Sequence, residues 1–192
     1  VLLLDEPFSN LDRRNRDRVR ADTISVLRAT GATALLVTHD PEEALLVSDR
    51  IVLMRSGRIV QIGTGADLYR RPVSHFAASF FGDLIAFPTR CIDGAATTPL
   101  GKFPAPGIAS GLRVAACVRP EAILLSGPET GHPARVIRRR FLGPVAELTL
   151  AAEGFSDTFR LTVAEETSAG EGDCVGLRLA SGEGFVFPVE TD

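Results

Sequence analysis

The chain has 192 residues, 45% of them apolar, which is enough for one large domain or two small ones with a packed core. Its formal net charge of −3 gives no electrostatic case for a nucleic-acid partner, and no apolar run approaches the ~20 residues that a bilayer span needs. Basic residues are nearly all arginine, with Lys102 the only lysine. Cys91, Cys117 and Cys174 are widely spaced and form no metal-ligand pattern. They read as small buried or half-buried hydrophobes in a reduced, cytoplasmic compartment.

The chain opens on Val1-Leu2-Leu3-Leu4-Asp5-Glu6-Pro7-Phe8-Ser9-Asn10-Leu11-Asp12. Four apolar residues run into two carboxylates and a proline. The run reads as a strand buried on both faces, as in a parallel sheet, and Pro7 ends it because proline cannot donate to a ladder. Asp5 and Glu6 then stand at the carboxyl end of a buried strand, where open α/β sheets place their ligands. Two such acids can divide labour. One can hold Mg²⁺, which prefers oxygen ligands and keeps several waters, and the other can orient a water for attack on phosphate.

Arg13 to Thr30 reads as a helix with apolar Val19, Ile24 and Leu27, closed by Gly31. Its charged residues Asp17, Arg18, Arg20 and Asp22 read as a solvated face with local ion pairs. Thr33 to Val37 reads as the next buried strand, with His39 at its carboxyl end. Asp40, Pro41 and Glu43 predict a helix start with a capping box behind His39. Glu42 and Glu43 read as helix-start acids rather than catalytic groups.

These residues carry a resemblance. Leu2–Asp12 is similar to the Walker B motif and D-loop of ABC transporter ATPases, and Thr38-His39-Asp40 to the switch-histidine loop that follows in that family. The family usually has alanine where Asn10 stands. The resemblance implies that Asp5 holds Mg²⁺ through water, that Glu6 is the catalytic carboxylate and that His39 contacts the γ-phosphate of ATP. It implies that Ser9, Leu11 and Asp12 form the loop meeting a second ATPase subunit, with Ser9 and Asp12 near the nucleotide. It further implies a homodimer at the cytoplasmic face of the inner membrane, bound peripherally to permease subunits and served indirectly by a solute-binding protein.

A P-loop needs Gly-x-x-x-x-Gly-Lys-[Ser/Thr]. Lys102 is followed by Phe103, and Ala96 stands where the first glycine belongs, so this sequence carries no P-loop. The Ser-Gly-Gly signature of the family is missing as well. The chain reads as the C-terminal piece of a longer subunit, expected to be inactive on its own.

Further along, Glu42–Val47 reads as a short helix. Arg50–Met54 and Arg58–Ile62 flank the hairpin signal Ser56-Gly57. The stretch from Ser48 to Gly63 is similar to the segment after the histidine loop in importer ATPases, and Gly65–Pro72 resembles the family's next helix. Ser74–Phe81 reads as an amphipathic helix with Phe76, Phe80 and Phe81 on its core side. From Gly82 to about Phe87 the pattern changes from alternating strands and helices to strands alone. Strands are expected at 87–92, 112–118, 122–125, 134–141, 146–151, 158–163, 175–179 and 184–189.

The predicted architecture is therefore an α/β portion with a parallel sheet, residues 1–82, resembling the C-terminal part of a P-loop NTPase. An all-β small barrel or sandwich follows over residues 83–192. Val118-Arg119-Pro120-Glu121 and Phe141-Leu142-Gly143 resemble the TOBE-like (OB-like) regulatory region of importer ATPases. Phe80-Phe81-Gly82, Ala86-Phe87-Pro88 and Gly184–Pro188 lean toward the ferric-iron branch, with the maltose (sugar) and polyamine branches as alternatives. Arg138, Arg139 and Arg140 read as a solvated strand edge, the alternative being an anion site. A small-ligand sensing and dimerising module, for an oxyanion or a metal, is the alternative function for this half.

Overall fold

The computed structural model describes all residues except 10, 181–183 and 190–192. The chain divides into two compact units, Val1–Phe81 and Gly82–Asp192.

In the first unit, β1 (Leu2–Asp5) pairs in parallel with β2 (Ala34–Val37). The helix between them, α1 (Arg13–Thr30), starts on an Asp12 cap and ends on a left-handed Gly31. The buried two-faced strands expected from the apolar runs are not what is found. Leu3 is 72% exposed, Leu35 57% and Val37 54%, because a sheet of two strands has no neighbours to cover both faces. The α1 face is also corrected. Val19 is exposed, while Arg20 is buried alongside half-buried Ile24 and Leu27.

The rest of the unit packs on a core of its own. It comprises α2 (Pro41–Val47), the antiparallel hairpin β3 (Ile51–Arg55) and β4 (Arg58–Gly63), α3 (Gly65–Arg70) and α4 (His75–Phe80). Ser56 and Gly57 both take positive φ, 50° and 74°, the backbone of a turn whose twist matches two antiparallel strands. Ala44, Ile51, Leu53, Leu68, Ala77 and Phe81 form the buried cluster, with Phe76 and Phe80 against it as their spacing predicts.

The second unit holds two five-stranded antiparallel sheets. One runs in the order β14 (Phe185–Pro188), β8 (Arg113–Val118), β5 (Ile85–Ile92), β6 (Ala95–Thr98), β7 (Gly101–Pro104). The other runs β12 (Phe159–Ala164), β11 (Val145–Ala152), β10 (His132–Phe141), β13 (Cys174–Leu179), β9 (Ile123–Ser126). Both contribute to one apolar core, with Val114, Ala116 and Phe87 from the first and Leu148, Leu150 and Leu177 from the second. The expected strands appear with ends shifted by a residue or two. The β6–β7 hairpin is additional. The turn that leads into it from β5, Asp93-Gly94, was a readable signal and takes the same positive-φ pair of angles, 51° and 73°.

The loop between β11 and β12 sends Phe155 inward. Its ring meets Phe87 of β5 edge-on at 4.8 Å and stacks on Phe159 of β12 at 4.5 Å, with the His132 ring of β10 at 5.9 Å. Among the cysteines, Cys91 and Cys117 are buried as expected, and burial pushes the Cys117 thiol up to about 11. Cys174 is exposed, contrary to expectation, because it opens the outward side of β13.

The arginine run 138–140 divides between the two faces of β10: Arg138 and Arg140 stay exposed, as on a solvated strand edge, while Arg139 is half-buried. Strict alternation from the inward Ala134 and Val136 would turn Arg138 inward. A bulge between Val136 and Arg138 resets the register, so that Arg139 lies opposite Leu148 instead. The Arg139 guanidinium donates to the carbonyls of Glu165, Thr167 and Ala169 and pairs with the Glu165 carboxylate at 3.1 Å. Arg140 pairs with Glu147 at 3.4 Å. Removing Ile137, the extra residue of the bulge, would turn the following arginines over. Deleting Ile137 is therefore expected to destabilise the protein by about 2 kcal/mol or more, while Ile137→Ala stays within about 0.5 kcal/mol, as read by urea denaturation.

Candidate functional site

The site is built where β1 and β2 end. The parallel register sets Asp5 across from Val37, and the Glu6 N–H donates to the Val37 carbonyl at 2.9 Å. The chain thus leaves both strands side by side, and the Glu6 Oε1 and His39 Nδ1 atoms come within 2.8 Å. Both groups face solvent, His39 74% exposed and Glu6 45%. The hydrogen bond from the ring, and then the negative charge of Glu6, raise the His39 pKa above its ordinary 6.5.

This geometry refines the role of the ring. With Nδ1–H donating to Glu6, a neutral imidazole presents a bare Nε2, which accepts. Only the imidazolium has a second N–H to offer a phosphate oxygen.

Glu6 sits at φ 43°, in the left-handed region, although it has a full side chain. That conformation costs roughly 1–3 kcal/mol and is held by its surroundings. Its carbonyl accepts from both the Ser9 amide (3.3 Å) and the Ser9 hydroxyl (3.0 Å), closing the turn through Pro7 and Phe8. Ser9 thus spends its hydroxyl on the turn. Asp12 spends its carboxylate on α1, accepting from the Asn15 amide at 3.1 Å and from the Asn15 side chain at 2.6 Å. Those two bonds, the backbone one first, hold its pKa below the usual 3.8. Leu11 accepts from the Arg16 guanidinium through its carbonyl at 3.0 Å. Asn10 lies outside the described residues.

Asp5 is exposed at the end of β1. No cluster of three or more metal-ligating side chains occurs among the described residues. That donor set does not make an all-protein cage. It does fit Mg²⁺, which uses one or two carboxylates and takes its other ligands from water and phosphate.

Behind His39 lies a buried network that the sequence did not reveal. Arg20 is 5% exposed and Glu43 3%. Arg20 Nη2 is 3.5 Å from Glu43 Oε1, and the Thr38 hydroxyl donates to Glu43 Oε2 at 2.7 Å. The Asp40 amide donates to the Thr38 oxygen at 3.0 Å, and Asp40 Oδ1 accepts from the amides of Glu42 and Glu43. Asp40 is therefore the cap of α2 as expected. Glu43 does not complete a capping box, since its carboxylate is drawn away to Thr38 and Arg20. The available signal was spacing: Arg16, Arg20, Ile24 and Leu27 fall on one helical face.

In the second unit, the arginine of Arg119-Pro120-Glu121 is buried, 4% exposed, with its guanidinium 5.6 Å from the centre of the Phe185 ring. It starts a short 3₁₀ turn, Pro120–Ala122.

Comparison with known families and proteins bears on both units. Residues 116–187 match the TOBE domain. A sulfate/thiosulfate import ATP-binding protein of Bradyrhizobium diazoefficiens is 38% identical over 181 residues, covering 92% of this chain and 52% of that protein. An Fe(3+) ions import ATP-binding protein of Rhizobium etli is 40% identical over 151 residues, 74% of this chain and 42% of its own. The Escherichia coli K12 protein of the same description is 41% identical over 158 residues, 80% and 45% respectively.

This chain corresponds to the C-terminal, TOBE-bearing part of an ABC importer ATP-binding subunit.

It spans about half the length of these relatives. No helix among the described residues of this importer-subunit chain is long and apolar enough to cross a membrane.

Two outcomes are expected at the site. An NMR titration of His39 should give a pKa above 6.5, falling back toward that value in Glu6→Gln. The pair's contribution to stability is complete below pH 6.5 and lost as the pH rises through the raised value. Because of the positive φ, Glu6→Gly should be more stable than Glu6→Ala by about 1 kcal/mol in denaturant melts.

Proposed function

We propose that Asp5, Glu6 and His39 serve ATP hydrolysis in an importer subunit of which this chain forms a part. The observation that carries the reading is the 2.8 Å contact between Glu6 and His39 at the carboxyl ends of two parallel strands. Glu6 orients and activates the attacking water, and His39, as an imidazolium tethered through its Nδ1–H, donates its Nε2–H to the γ-phosphate. Asp5 would hold Mg²⁺ through water, and the ion, once bound, neutralises phosphate charge. Ser9 and Asp12 act through the loop they shape, since their side chains are engaged locally, and this loop meets the second subunit.

On this reading residues 1–82 are the C-terminal portion of a P-loop NTPase domain, and residues 83–192 a TOBE-like regulatory domain. The working unit is a homodimer, peripheral on the cytoplasmic face of the membrane, coupled to permease subunits and through them to a solute-binding protein. Ferric iron is the proposed cargo, supported by the short strings around Phe80–Pro88 and by relatives named for Fe(3+) import. Sulfate competes as cargo, since another relative is named for it.

The reading is tested on the full-length subunit. Glu6→Gln is expected to lower kcat for ATP by about 10²–10⁴-fold with nucleotide binding retained. Hydrolysis unchanged in that variant would remove Glu6 from the mechanism. Uptake of ⁵⁵Fe(III) against ³⁵S-sulfate in cells lacking the subunit decides the cargo. Restoration of sulfate uptake alone would overturn iron.

A further inference from the structure

We propose that Arg20 and Glu43 are positioning residues for His39, joining helix α1 to the turn that presents the ring. The inference rests on the ATPase reading above for its kinetic arm, but its geometry stands by itself.

Arg20 and Glu43 are both almost wholly buried, and they come from elements 23 residues apart in sequence. Burying two charges is costly, and a pair of similar apolar side chains would often hold a fold as well. The carboxylate here does more than pair. One oxygen faces Arg20 and the other accepts from the Thr38 hydroxyl, whose oxygen accepts in turn from the Asp40 amide. Thr38 and Asp40 are the two neighbours of His39. The backbone on either side of the ring is therefore fixed from beneath by one carboxylate.

The other end of the tether also reaches the site. The Arg20 guanidinium lies 6.0 Å from the centre of the Phe8 ring, which is 1% exposed and sits two residues after Glu6. Arg20 thus touches the turn that carries Glu6 and the carboxylate that anchors His39. Neither Arg20 nor Glu43 reaches the Glu6–His39 contact itself. They fix the backbone on both sides of it, so that the two exposed side chains meet from a preset start. His39 is 74% exposed, so its direction rests on the Glu6 contact and on the backbone anchor beneath it rather than on packing.

The test separates positioning from simple support. Arg20→Met/Glu43→Leu removes both charges and keeps the packing volume, so the fold should survive. Glu43→Gln keeps an acceptor for Thr38. In the full-length subunit the double variant is expected to lose about 10- to 100-fold in kcat with KM for ATP changed less than about twofold. Glu43→Gln should recover most of that loss. By hydrogen exchange, the amides of Asp40, Glu42 and Glu43 should exchange at least about tenfold faster in the double variant, with the β3–β4 amides unchanged. Wild-type kcat in the double variant, or a rise in KM alone, would overturn the proposal. If the wild-type subunit hydrolyses no ATP, the functional reading fails and exchange alone decides. Unchanged protection at Asp40–Glu43 then overturns the positioning role, and selective loss supports it.

Discussion

The parallel register of β1 on β2 is the constraint from which the first unit follows. Because Asp5 lies across from Val37, the residues that leave each strand emerge together on one edge. Two segments more than thirty residues apart in sequence therefore deliver a carboxylate and an imidazole to the same point. A slip by one residue would separate them and turn Leu4 and Leu36 over. The cost is concentrated at Glu6, whose left-handed backbone is held between its N–H bond to the Val37 carbonyl and two hydrogen bonds that its carbonyl accepts from Ser9. The local interactions of Ser9 and Asp12 belong to the same device. They shape the turn and start α1, which brings Arg20 back beneath both exits.

The second unit solves a different problem. Its core is shared between two antiparallel sheets, and its polar groups are used to fix edges and loops. Arg139 illustrates this. A bulge turns it toward the 165–171 loop, where its guanidinium satisfies three backbone carbonyls at once. Planar, multiply donating and always charged, arginine suits this better than lysine. Arg119 is likewise buried under an aromatic ring.

Much of this was legible in the residues. Gly31, Asp40-Pro41 and Ser56-Gly57 mark element ends by local chemistry, and the structure has ends there. Most strands of the second unit were readable from their apolar residues and Gly/Pro punctuation, while β6 and β7 were not. What escaped depended on contacts distant in sequence. Arg20 was read as part of a solvated face and Glu43 as a helix-start acid of a capping box, whereas the two are buried against each other across α1 and α2. The bulge at Ile137 leaves no mark in a run of polar and β-branched residues. The exposure of Leu3, Leu35 and Val37 reflects how many strands surround them, which an apolar run does not encode. The proximity of Glu6 and His39 was implied by strand ends, but the tautomer it imposes required the distance.

The ring of Phe155 has a consequence for how the second unit comes apart. It comes from a loop, yet it lies against an aromatic of one sheet on its edge and an aromatic of the other on its face. Opening either sheet alone would strip that ring of half its partners while leaving the rest of its apolar surface wet. The loop therefore acts as a bolt through two plates. On this geometry the two sheets are expected to open together as one cooperative unit rather than as two layers that breathe separately.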